Sequence, residues 1–469
     1  MNYYLKFLSQ IFIFCISNFL LGQSKIKILN SDEIIFDKNF NSNVKKLIGN
    51  VICYNNDFKI YCDSAYLYGK ENKIESFSNI KILKGDSIFI KCERLIYTGD
   101  TKESYLSSSV ELIHNDLKVI TEKLYFNFEK KLSRSNIHSE ILHNSKKIYC
   151  NKFVYDINND LFEFFDQVKT INLNDTILTD TLTYNLKNDM IKLNTFFEIR
   201  SESTILKGNF GIIDNIKKNG VFTKKIELLN LKDKYIINSD SCIFNNISNT
   251  ISFLKNNYMK NYHSENFIEY IADTIININS KSFNGIIGIS NIVLNNKDLT
   301  AKSDSLSFDI NQNIIKLQKN AIAWHNDYQG TANVIEILVI NDSLKNITFI
   351  DNPFLLSKVA NSKYNEISGD SIILIFKQNR IEKINALQNC ETVYFIRDKN
   401  DSIKNVNLSN SENTFIELYN GKLDNLKLDK TIKSEIIPLN IYSESNEEIW
   451  IDKQQIINRI DSTGKLTNY

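Results

Sequence analysis

Apolar and polar residues alternate along most of this chain, and short polar turns interrupt the alternation at a near-constant interval. Phe58, Ile60 and Cys62 have polar neighbours on either side, and Ala65 and Leu67 continue the run between Tyr66 and Tyr68. A period of two is the signature of a strand with one buried face. Gly69-Lys70-Glu71-Asn72 then reads as a turn, Lys73-Ile74-Glu75-Ser76-Phe77 as the next strand, and Asn79-Ile80-Lys81-Ile82 as the one after it. No sustained helical period intervenes, which argues against parallel strands joined by helical crossovers. The pattern predicts an all-β chain of antiparallel strands and tight turns.

The alternation is also a repeat. Ile60-Tyr61-Cys62-Asp63-Ser64 returns as Ile90-Lys91-Cys92-Glu93-Arg94, Val119-Ile120-Thr121-Glu122-Lys123, Ile148-Tyr149-Cys150-Asn151-Lys152 and Ile177-Leu178-Thr179-Asp180-Thr181. The small residue before the polar one stands at 62, 92, 121, 150 and 179, in steps of 30, 29, 29 and 29. Degenerate copies continue through Ser239-Asp240, Ala272-Asp273 and Ser303-Asp304 towards Thr414-Phe415-Ile416. A period of this size marks stacked units, none of which buries its apolar face alone. Each unit is expected to hold about four strands of five or six residues. Function in such an array lies in a long surface more often than in one pocket.

Composition narrows the options. Among 469 residues the formal net charge is +1, too balanced for a protein whose main partner is nucleic acid. Hydrophobic residues make up 42%, enough for a core. With 2 Pro and 14 Gly, Asn and Asp must make most of the turns. Residues 1–22 read as a cleavable export signal, with Lys6 before the apolar stretch Ile11 to Leu21 and Gly22 at the cut. The mature chain is expected to be exported. It divides into clear repeats over 23–200, divergent repeats over 201–435, and a C-terminal capping segment over 436–469 that contains Pro438 and Trp450.

Candidate chemistry is sparse. Cys62, Cys92 and Cys150 share one repeat position with Thr121 and Thr179, so they read as small inward residues; a Cys62–Cys92 disulfide is the alternative in an oxidising compartment. Asp63, Glu93, Glu122, Asp180, Asp273 and Asp304 recur in phase and read as outward, solvated acids, with a metal ladder as the alternative. Of five histidines, only His138 and His143 lie close in sequence, with no nucleophile arranged around them. No zinc-type Cys/His spacing, phosphate loop, dinucleotide fingerprint or nucleophile elbow is present. The chain reads as a non-enzyme without a cofactor or metal.

The phrases Gly49-Asn50-Val51, Cys62-Asp63-Ser64-Ala65-Tyr66-Leu67-Tyr68, Gly85-Asp86-Ser87-Ile88 and Cys92-Glu93-Arg94-Leu95-Ile96-Tyr97 resemble the OstA-like (organic-solvent-tolerance) repeat, most clearly over 45–190. That family includes the lipopolysaccharide bridge protein LptA and the N-terminal part of the translocon LptD. The C-terminal part, with Gly369-Asp370-Ser371-Ile372, is similar to long Bacteroidetes-type versions. The resemblance implies an elongated antiparallel β-jellyroll, a V-shaped trough open along one side. It implies a periplasmic place, lipopolysaccharide as cargo, and edge-strand pairing with other jellyroll proteins, including an LptD-like outer-membrane translocon. The chain's polar end at Tyr469 suits the soluble bridge type rather than a barrel.

On that reading, lipid A acyl chains lie against the inward side chains. The candidate groove residues are Val51, Cys53, Ile60, Cys62, Ile80, Ile82, Ile88, Ile90, Cys92, Val110, Leu112, Val119, Leu124 and Phe126; any one of them taken singly reads more readily as ordinary sandwich core than as a lipid contact. The rival classes are a carbohydrate-binding β-repeat protein, which predicts exposed aromatic platforms with in-phase Arg or carboxylate clusters, and a structural surface filament.

Overall fold

The computed structural model describes residues 25–36, 44–55, 58–173, 175–261, 268–340, 343–360, 363–398 and 402–442. The expected signal segment and the 443–469 part of the expected cap lie outside these residues. All regular structure among the described residues is strand, and every pairing is antiparallel. The chain divides into two units, Met1–Glu202 and Ser203–Tyr469. Each is an antiparallel β-jellyroll, as expected.

The strands differ from the expectation in length. Over residues 44–127 the expected short strands are joined in pairs into long ones, bent in the middle, whereas the repeat over 132–156 holds four short strands, Leu132–Ser135, Ser139–His143, Lys146–Cys150 and Lys152–Asp156. Lys73–Lys84 and Glu103–His114 are 12 residues long, and Ile88–Thr98 and Leu117–Asn127 are 11. The extra residue is a bulge. Tyr61 pairs with Lys81 and Ser64 with Phe77, so two residues face three. At each bulge two successive residues are left-handed: Ser78 and Asn79 (φ 62 and 50), Ser108 and Ser109, Asp166 and Gln167. A bulge sharpens the local twist and bends its strand, and Asn, Asp and Ser tolerate this conformation because their short side chains bond the backbone locally.

The bends divide unit 1 into two ladders joined along a spine. One ladder contains 51–55, 58–62, 80–84, 88–92, 110–114, 117–121, 139–143 and 146–149. The other contains 44–48, 64–68, 73–77, 94–98, 103–107, 123–127, 132–135 and 152–156. Apolar side chains of both turn inward and form the core.

Unit 2 repeats the plan. Strands Asn219–Asn230, Thr250–Asn261, Asn284–Asn295 and Ile314–His325 are bent at left-handed pairs 224–225, 255–256, 290–291 and 319–320. Its last strand, Lys422–Pro438, pairs with Ile403–Tyr419, so residues 436–438 continue the sheet.

Candidate functional site

The interior of unit 1 is organised in columns that follow the repeat. The first column lies inside the spine, where the ladders converge and space is least. It holds Cys62, Cys92, Thr121, Cys150 and Thr179, all 8% exposed or less. Only small side chains fit there, and each has a polar atom that bonds the backbone across the bend. Thr121 Oγ1 donates to the Lys123 carbonyl, and Thr179 Oγ1 to that of Thr181. The sulfurs of Cys62, Cys92 and Cys150 accept from the backbone N–H of Ser64, Arg94 and Lys152, two residues on in each case. This explains why Cys and Thr interchange here. Burial pushes the Cys62 thiol up to about 11 and those of Cys92 and Cys150 up to about 12, so they stay protonated. All six cysteines among the described residues are free.

The six recurrent acids stand on the outer side of the same spine, exposed, beside the bulges. Five of them, all but Asp180, accept from left-handed residues. Asn79 Nδ2 donates to Asp63 at 2.7 Å and its backbone N–H to Glu93 at 3.1 Å. Ser109 N–H donates to Glu122, Asn291 to Asp273 and Asn320 to Asp304. These carboxylates cap the strained corner. No three His, Cys, Asp or Glu side chains gather into a metal cage among the described residues.

The predicted groove residues run from the spine, at Cys62 and Cys92, through the middle columns to the mouth, at Phe126. Val51, Cys53, Ile60, Cys62, Ile80, Ile82, Ile88, Ile90, Cys92, Val110, Leu112, Val119, Leu124 and Phe126 are all buried, none more than 6% exposed. They face one another across the two ladders as one continuous apolar interior. Leu124 and Phe126 lie on the ladder opposite the other twelve.

The mouth, opposite the spine, carries a column of which the sequence reading named only Phe126 as a candidate. Tyr97, Phe126, Tyr155 and Tyr184 follow one another by 29 residues, and each is 0% exposed. They meet the facing ladder. Phe58 stacks on Phe128 with ring centroids 4.0 Å apart and sits edge-on to Tyr97 at 5.0 Å. Lys84 Nζ donates to the Phe128 carbonyl. His114 Nδ1 lies 2.8 Å from the Tyr155 hydroxyl, and one repeat on His143 Nδ1 lies 2.8 Å from that of Tyr184. The side that the resemblance leaves open is therefore bridged by side chains in unit 1.

The Tyr184 clasp is a closed polar circuit. The hydroxyl donates to Asp189 at 2.9 Å, so the His143 ring donates to the hydroxyl through Nδ1–H. Lys146, beside His143 on the same hairpin, donates to both Asp189 oxygens at 2.8 and 2.9 Å. His143 Nε2 is left to accept from Asn144 at 3.4 Å, with Asp116 3.3 Å away. Burial pulls the His114 and His143 pKa values below the ordinary imidazole value, outweighing nearby Asp160 and Asp116 respectively. Both rings are therefore held neutral in the closed mouth. Burial also pushes the Tyr155 and Tyr184 hydroxyls up, and Asp189 adds to the shift at Tyr184. The signal in the sequence was the spacing itself, because His114 and His143 are 29 apart, as are Tyr155 and Tyr184.

Against known proteins, residues 23–135 match the family model described as OstA-like protein. No curated protein matches the chain. A solved structure with similarity is LptH from Pseudomonas aeruginosa, described as the LptA homologous periplasmic component of the conserved lipopolysaccharide transport device. It is 13% identical, with a TM-score of 0.11, over 36% of this chain and 80% of that one. The matched segment, residues 23–135, is similar to the OstA-like family and holds the first three acid-capped spine positions, at Asp63, Glu93 and Glu122.

Proposed function

We propose that this chain is an exported, periplasmic lipid-binding bridge that receives the acyl chains of lipopolysaccharide between its two ladders and passes them towards the outer membrane. The observation that carries the reading is the continuous apolar interior, sealed at the mouth only by non-covalent side-chain contacts. An acyl chain of about twelve carbons gains roughly 10 kcal/mol on leaving water, at roughly 0.8 kcal/mol per CH₂. A hydrogen bond at the mouth contributes about 0.5–1.5 kcal/mol, or about 1.5–3 kcal/mol where one partner is charged. Lipid entry is thus strong enough to open the mouth rung by rung, and the contacts re-form once the chain has moved on. A repeated lining favours movement because no rung binds much more tightly than the next.

The partners on this reading are other jellyroll proteins, an LptD-like translocon among them, joined through edge strands. Glu33–Phe36 supports this. Among the described residues it pairs with Val44–Asn55 alone, and Ile34, Ile35 and Phe36 remain 45%, 41% and 65% exposed. An unpaired apolar edge invites a further strand. Removing residues 25–36 should end co-purification with the partner, and undiminished capture would count against edge pairing.

The test of the cargo is photocrosslinking in cells from Ile90, Leu112 and Val119 in the interior, with the outward-facing Ile120 as control. Lipopolysaccharide adducts from the three interior positions and none from Ile120 are expected. Adducts at Ile120 alone would refute carriage between the ladders.

A further inference from the structure

The outer face of the second ladder in unit 1 carries chemistry that the interior reading does not use. A groove of about 630 Å³ lies there, lined by segments 75–77, 94–96, 105–107, 123–125 and 134–137. No residue of the facing ladder lines it, so it is separate from the interior.

Strand register arranges its side chains in two rows. Phe77 pairs with Arg94, Arg94 with Ser107 and Ser107 with Lys123. Two residues along each strand, Ile96 pairs with Tyr105, Tyr105 with Tyr125 and Tyr125 with Arg134. Five strands at ~4.8 Å make the groove about 19 Å long. The break after Leu132–Ser135 places Asn136 and Ile137 at its end.

Cations and rings are interleaved here. The Arg134 guanidinium lies 4.2 Å from the Tyr125 ring centre, and that of Arg94 5.6 Å from that of Phe77. Tyr105 meets Tyr125 edge-on at 5.3 Å and is 56% exposed. Tyr125 is fixed by donating to Glu103. Among the described residues no carboxylate forms an ion pair with Arg94, Lys123 or Arg134, and the one acid in the lining, Glu75, is paired with Lys73 at 2.6 Å. A guanidinium over an aromatic ring still has N–H donors to offer, and its planar fork matches phosphate and carboxylate oxygens. Exposed Tyr rings present flat apolar faces with a polar rim, a surface that suits a sugar ring.

We propose that this groove is a binding site for an anionic saccharide, with a phosphate or carboxylate held by Arg94, Lys123 and Arg134 and a sugar ring laid on Tyr105. The proposal rests on no part of the interior reading. The site takes polar, charged ligand chemistry on the outside of the sheet, whereas the interior takes hydrocarbon.

The experiment is titration of the full chain with a fluorescent, deacylated, phosphorylated oligosaccharide, compared with the same oligosaccharide after phosphatase treatment and with inorganic phosphate. The site predicts binding that weakens at least tenfold in Arg94→Gln/Arg134→Gln, weakens severalfold in Tyr105→Ala, and falls steeply with salt. Competition by the acylated parent or by a soluble hexose phosphate separates a lipid headgroup from a free sugar as the source. Unchanged affinity in the double variant overturns the proposal. So does equal binding of the dephosphorylated sugar, or inorganic phosphate competing as well as the saccharide. Crosslinking from Val119 is read in parallel. Its persistence in a variant that has lost the saccharide separates failure of this site from failure of the interior.

Discussion

Tyr184→Phe removes one oxygen and cuts two bonds of the mouth circuit at once. The hydroxyl accepts from His143 at 2.8 Å and donates to Asp189 at 2.9 Å, on a side chain with no exposure. A neutral hydrogen bond is worth about 0.5–1.5 kcal/mol and one to a carboxylate about 1.5–3 kcal/mol. Asp189 keeps Lys146 after the change, which offsets part of the loss. His143, 6% exposed, loses the acceptor for its Nδ1–H. The expected cost is about 2–3 kcal/mol. Tyr155→Phe is the internal control, because its hydroxyl meets only the half-exposed ring of His114 and its loss should cost about 1 kcal/mol. Urea unfolding of the full chain should show the midpoint falling in that order with little change in slope. Hydrogen exchange should accelerate first in the hairpins around 144–145 and 186–189, before the spine. The reasoning fails if Tyr184→Phe stays within about 0.5 kcal/mol of the parent, a range typical of surface changes, or if it costs no more than Tyr155→Phe.

The other predictions concern the mouth in acid, the inner spine and the outer spine. His114 and His143 have folded pKa values below the unfolded one, so the unfolded chain binds protons more readily. The stability they contribute is complete above the ordinary imidazole value near ~6.5 and is lost as pH falls through it towards the folded values. Exchange at the mouth hairpins should therefore accelerate below about pH 6.5, and a His114→Gln/His143→Gln variant should flatten that dependence. At the inner spine, Cys62, Cys92 and Cys150 should resist thiol reagents at pH 8 until urea unfolds the chain. Cys92→Thr should cost under about 1.5 kcal/mol as a near-isosteric donor, whereas Cys92→Leu should cost about 1–3 kcal/mol by overpacking the convergence of the ladders; equal midpoints for the two would contradict the crowding argument. On the outside, Asn79→Ala removes the amide bond to Asp63 and places alanine at φ 50, for an expected loss of about 1–2 kcal/mol in chemical unfolding.

Much of the molecule was legible because its determinants are local. The alternation at Phe58, Ile60 and Cys62 requires only that one face of a strand be buried. The 29-residue step requires only that units stack. The polar residue after the small one, Asp63 or Glu93, could be placed outside the core because it falls on the outward phase. The doubling of strand length was not legible. Phe77-Ser78-Asn79 reads as a turn between two short strands, and it is a corner within one long strand, because hydrogen bonding resumes beyond the left-handed pair. The outer groove was missed for a related reason. Arg94, Tyr105, Tyr125 and Arg134 look scattered along the chain, and strand register alone sets them side by side.

By itself, then, the sequence determined the strands, their inward faces, the repeat and the likeness of 23–135 to the OstA-like family. Periodicity and burial act between neighbours in the chain, and a reader needs no coordinates to follow them. Only the tertiary structure decided that the mouth is closed. His143 and Tyr184 are 41 residues apart and stand on facing ladders, and they meet only because the bulges fold each strand back at a particular angle. That angle depends on how small residues such as Cys92 and Thr121 pack inside the spine, which is a property of the assembled interior.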